Sequence, residues 1–172
     1  MSIKSLPPYA KDGSVHVLVE IPTGSRNKYE YDPDLDVIAL DRTLYGAVHF
    51  PTDYGFVPGT RASDGDPIDA LVMVEERTFP GCLLRVRLIG LLTITDGDRE
   101  EPKLLAVPVD EPRFAEYHDI KDVPKHLLTE IEDFFDVYKQ LEGKEVSSRG
   151  WKGQAHAVRA LEDTLTTSGP VI

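Results

Sequence analysis

Leu83-Leu84-Arg85-Val86-Arg87-Leu88-Ile89-Gly90-Leu91-Leu92-Thr93-Ile94-Thr95 opens with an alternating pattern. Leu84, Val86, Leu88 and Gly90 share one face, with Arg85 and Arg87 on the other, which is the period of a strand. Shorter runs of the same kind lie on both sides. Val15–Ile21 is rich in β-branched residues and is stopped by Pro22-Thr23-Gly24; His16, Leu18 and Glu20 share one of its faces. Residues 28–31, ended by Asp32-Pro33, and residues 37–40, 68–74 and 104–109 complete a set of strands separated by Gly, Pro and Asp turns. Residues 47–50 lead into a loop read at 51–58. Short strands at regular spacing with no helices between them predict a β-barrel or sandwich.

The last third changes period. Between 124 and 141, Leu127, Leu128, Ile131, Phe134, Phe135, Tyr138 and Leu141 recur at helical spacing, with Pro124 suited to the first turn and Gly143 to the stop. A second helix is predicted over about 153–165 through Ala155, Val158, Leu161 and Leu165, and 166–172 reads as a loose tail. The sum is an α+β fold: a closed or nearly closed β-sheet covered by two C-terminal helices.

The 172 residues are most simply one domain, 1–172, with a core over about 15–165 and peripheral ends at 1–14 and 166–172. No secretory h-region stands in the first 13 residues, and the apolar runs are too short to cross a bilayer. Cys82 is alone, which fits a reducing compartment, with the cytoplasm as the default. Thirty acidic against nineteen basic residues give a net charge of −11, which argues against a nucleic-acid binder. A phosphate ligand is still compatible with that charge if divalent cations offset the carboxylates.

Asp64-Gly65-Asp66-Pro67-Ile68-Asp69 concentrates three carboxylates in a turn directly before an apolar run. One reading is a solvated acidic turn; the other is a hard-cation site, with Mg²⁺ first and Mn²⁺ next for oxygen-only ligands. An EF-hand loop fails, because Ile68 falls on a ligand position and Asp69 stands where the turn glycine belongs. Glu20, Lys28 with Glu30, Arg42, the turn 96–101, Lys103, Tyr138 and Lys139 each have a plain reading as surface ion pairs, hairpin tip or core.

Taken in order, these segments resemble the family I soluble inorganic pyrophosphatases of the bacterial type. The match runs through Glu20-Ile21-Pro22, Asn27-Lys28-Tyr29-Glu30, Asp41-Arg42 and Pro51-Thr52-Asp53-Tyr54-Gly55-Phe56. It continues through Asp64-Gly65-Asp66-Pro67-Ile68-Asp69-Ala70, Val107-Pro108 and Phe134-Phe135-Asp136-Val137-Tyr138-Lys139. The resemblance implies a five-stranded OB-like β-barrel with two C-terminal helices and Mg²⁺-dependent cleavage of pyrophosphate to two phosphates. It implies Asp64, Asp69, Asp96 and Glu101 as metal ligands, with Glu20 and Glu30 assisting, and Asp66 as general base. It implies Lys28, Arg42, Tyr54, Lys103, Tyr138 and Lys139 as phosphate-binding groups. Glu101 stands where the family usually carries an aspartate, and Phe50 where many bacterial relatives carry a tyrosine. A homohexamer is implied as well, with Asp133 and Val137 at helix positions where relatives often carry histidines.

Overall fold

In the computed structural model, which describes residues 2–165, the first β-branched run forms β1 (Val15–Ile21). β2 (Asn27–Asp32) and β3 (Val37–Thr43) form an antiparallel hairpin, with Lys28 opposite Arg42. β4 (Asp53–Phe56) and β5 (Asp69–Val72) flank the acidic loop. The long run forms β6 (Leu83–Asp96) and returns as β7 (Arg99–Pro108). Then come α1 (Lys125–Val137), β8 (Val146–Gly153) and α2 (Gln154–Thr164).

Five strands close on themselves. β1 pairs with β4, β4 with β5, β5 with β7, β7 with β6, and β6 again with β1. β5 and β7 run parallel; the other pairs in the ring are antiparallel. Closure satisfies backbone groups that an open edge would leave to solvent. Length lets β6 do this: residues 83–86 pair with β1, and 90–96 pair with β8. The α+β class, the ring of five strands and the two C-terminal helices agree with expectation.

The membership of the ring differs from the sequence reading. The segment 51–58, read as loop, contains β4, while the β2–β3 hairpin forms a separate two-stranded sheet. Pro51 and Pro58 mark turns and hide the four strand residues between them. Gly55 is required there, because a Cβ would fall 1.9 Å from the Leu18 carbonyl oxygen on β1. β8 was not read at all; its Ser147-Ser148-Arg149-Gly150 lacks an apolar alternation, and pairing with β6 orders it. The turn read at 96–101 is tighter, because Arg99 already begins β7 and only Gly97, at φ +63°, and Asp98 connect the strands. α1 ends at Val137 rather than Leu141, and a 3₁₀ turn (Gln140–Glu142) carries the chain to left-handed Gly143. Residues 166–172, read as a tail, lie outside those described.

Alternation along the ring strands feeds two cores. Leu71, Leu105 and Val107 pack with Ile131, Phe134 and Phe135 of α1. Ala70, Val72, Leu104 and Ala106 face the other way, against Ala157 and Leu161 of α2. Both faces of β5 and β7 are therefore buried, which explains their continuous apolar runs. Among the described residues, no helix is long and apolar enough to cross a membrane.

Leu161→Ala should lower stability by ~2–5 kcal/mol through the lost contacts and the residual cavity. The urea unfolding midpoint measures this; an unchanged midpoint would show that α2 does not hold the second core.

Candidate active site

The acidic loop is anchored at its base before it presents any carboxylate. Thr60 Oγ1 donates to the Val57 carbonyl at 2.6 Å and accepts from the Ile68 amide at 3.1 Å. The Arg61 amide donates to the Thr164 carbonyl at the end of α2, 2.7 Å away. Inside this frame Gly65 takes φ +91°, a conformation costly for residues with a side chain. The Asp66 amide donates to Asp64 Oδ1 at 3.0 Å, and the Ala62 amide donates to the Asp66 carbonyl at 2.7 Å. Asp69 then enters β5, where the parallel register sets it beside Lys103 of β7.

Lys103 is only 2 % exposed. Its Nζ donates to Asp69 Oδ2 at 2.8 Å and to the Tyr54 hydroxyl at 2.9 Å, with Glu101 Oε2 at 3.4 Å. The Tyr54 and Phe135 rings lie 5.2 and 5.5 Å from the same nitrogen. Burial alone would discharge this ammonium, but Asp69 and the neighbouring acidic groups outweigh it and raise its pKa. Burial, then Asp69, pushes the Tyr54 phenol well above its ordinary value, so the hydroxyl stays neutral. Tyr138 is raised for the same first reason.

The opposite wall comes from β1 and the hairpin. Glu20 accepts from the Tyr31 amide at 2.8 Å, yet burial, followed by the charges of Asp69 and Glu30, lifts its pKa to about 8. Asp66 is also raised, first by burial and then by Asp64 and Asp69. Lys28 contacts Glu30 directly, and Lys139 Nζ donates to Asp96 Oδ2 at 2.6 Å.

These groups surround one cavity of about 300 Å³. Glu20, Lys28, Glu30, Tyr54, Asp64, Asp66, Asp69, Glu101, Lys103, Tyr138 and Lys139 all line it. Two expected residues are not in its wall. Asp96 reaches it through Lys139, and Arg42 is paired with Asp41 and Glu142 behind Lys28. Sequence reasoning missed Tyr29, Tyr31 and Arg99 as lining residues. Tyr29 and Tyr31 flank Glu30 on one strand, so alternation pointed only one side of that strand at the site. Arg99 lies in a turn from which only Asp96 and Glu101 were singled out.

Among the described residues, no three carboxylates, histidines or cysteines already form a metal cage. Lysines lie between the acids instead. The donor set still fits a hard divalent cation, because every acidic group is an oxygen donor and the carboxylates outweigh the ammonium groups beside them. Chemically, the cavity offers carboxylate oxygens of the kind hard cations take, ammonium and hydroxyl donors for a compact polyanion, and a carboxylate of raised pKa.

The sequence model of the family described as inorganic pyrophosphatase matches residues 17–168. A curated inorganic pyrophosphatase of Nostoc sp. is 47% identical over 163 residues, spanning 95% of this chain and 96% of that protein. One from Methanosarcina acetivorans is 49% identical over 147 residues, spanning 86% and 88%. The crystal structure of inorganic pyrophosphatase from Thermus thermophilus superposes with TM-score 0.91 at 42% identity, covering 96% of this chain and 97% of that one.

Lys103→Met should strand Asp69 and Glu101 without their cation and cost ~3–5 kcal/mol of stability in metal-free buffer. Urea unfolding at neutral pH measures the loss; a change below about 1 kcal/mol would mean that water already screens these carboxylates.

Proposed function

The chain belongs to the inorganic pyrophosphatase family, and from that premise we propose that it hydrolyses pyrophosphate to two phosphates with Mg²⁺ in the cavity described above. The observation that carries the proposal is the convergence of the acidic loop and the buried lysine on one cavity of about 300 Å³. Asp64, Asp69, Asp96 and Glu101 would hold the cations, with Glu20 and Glu30 assisting. When bound, such cations offset the charge of the phosphate oxygens and acidify water.

The protein's own groups do the rest. Asp66 accepts the proton that water gives up as its oxygen attacks phosphorus. Burial, then Asp64 and Asp69, raises its pKa above the ordinary carboxylate value, which makes it a stronger base than a free aspartate. The P–O bond to the bridging oxygen breaks, and the departing phosphate carries that electron pair. Lys28, Lys103 and Lys139 offer ammonium charge to the phosphate oxygens, and the neutral Tyr54 and Tyr138 hydroxyls offer hydrogen bonds. Arg42 stands opposite Lys28 on β3 and contributes its charge from behind it, with its guanidinium held by Asp41 and Glu142. Water attacks directly, with no protein nucleophile.

The same proposal takes the chain as one pyrophosphatase domain working in the cytoplasm as a homohexamer. Exposed Tyr45, Phe79 and Leu141 are apolar side chains that assembly could cover, and light scattering measures the oligomer.

Phosphate release from pyrophosphate should require Mg²⁺ and stop when a chelator removes it. Asp66→Asn should lower kcat at least ~10²-fold while the fold persists. Equal turnover by the variant would remove Asp66 from the role of base.

A further inference from the structure

Glu142 lies just past the Tyr138-Lys139 pair, in the 3₁₀ turn Gln140–Glu142, and its side chain is only 7 % exposed. Across from it stands Arg42 of β3. Arg42 Nη2 donates to Glu142 Oε2 at 3.0 Å, and Nε lies 2.9 Å from Oε1. The remaining guanidinium nitrogen donates to Asp41, whose Oδ2 lies 3.5 Å from Lys28 Nζ. A continuous chain of charge therefore runs from the 3₁₀ turn after α1 to the ammonium in the cavity wall.

The position of this chain gives it a purpose. The β2–β3 hairpin carries Lys28 and Glu30 but belongs to its own two-stranded sheet, outside the closed ring. No ring strand pairs with it among the described residues. Tyr138 and Lys139 line the same cavity from the segment leading into Glu142. Alongside the Tyr31–Glu20 hydrogen bond that ties the hairpin to β1, charged contacts across that separation link the two walls. We infer that Glu142 is a positioning residue: through Arg42 it clasps the hairpin wall against the Tyr138-Lys139 wall and so sets the affinity for pyrophosphate. Glu142 touches neither substrate nor reacting atoms. The inference rests on the phosphate roles proposed above for Arg42 and Lys28.

Steady-state kinetics at saturating Mg²⁺ on Glu142→Gln, Arg42→Lys and the double variant test it. Glu142→Gln is nearly isosteric but loses the charge, and KM for pyrophosphate should rise about 10-fold with kcat within about twofold. Because the clasp acts through Arg42, the double variant should match Arg42→Lys alone rather than adding the two effects. Glu142→Asp keeps the charge with a shorter reach and should give a smaller rise; it replaces the Gln variant if urea unfolding shows that variant destabilised. Glu142→Gln with unchanged or lower KM overturns the clasp, as do additive effects or a fall in kcat at constant KM. In those cases a raised KM for Arg42→Lys still upholds the proposed site. If Arg42→Lys is also silent, the phosphate role of Arg42 falls together with the clasp.

Discussion

Lys103 sits almost wholly out of water, and its ammonium is tolerable there only because Asp69, Glu101 and the Tyr54 hydroxyl surround it. These partners come from β4, β5 and β7, so one nitrogen ties three neighbouring strands of the ring together. An unpaired charge at this depth would cost far more than any single hydrogen bond returns. The parallel β5–β7 pairing is therefore as much an electrostatic requirement as a backbone one. It puts a lysine opposite an aspartate at the point where the strands open into the cavity.

Charge balance then explains the chemistry. The chain is strongly acidic, and in the cavity carboxylates outnumber the ammonium groups that face them. Burial first, and then the fields of Asp69 and Glu30, penalise the Glu20 anion and push its pKa up to about 8. The cations of the proposed function would supply positive charge there.

Legibility followed the physical origin of each element. β1 and β6 were readable because their order comes from their own β-branched and alternating residues, and both helices because their apolar stripes repeat at the helical period. β4 and β8 were not. Each is ordered by a partner strand: β4 through the close approach of Gly55 to Leu18, and β8 through the long strand beside it. In the candidate site, the carboxylates and lysines stood out as residue types, and most of them do meet in one cavity. Arg42 and Asp96 stood out equally, yet Arg42 is held by Glu142 behind the wall and Asp96 reaches the cavity only through Lys139.

From sequence alone followed the α+β class, the family resemblance and the residue types of the chemistry, because hydrophobic period and ordered motifs are properties of the linear chain. Tertiary structure alone decided which strands close the ring, and that the hairpin with Lys28 stands outside it. It also decided that Lys103 is buried, that Glu20 carries a raised pKa, and that Glu142 meets Arg42 across 100 positions of sequence. These last properties depend on distance and dielectric environment. Both arise only when segments far apart in the chain are brought together and water is excluded between them.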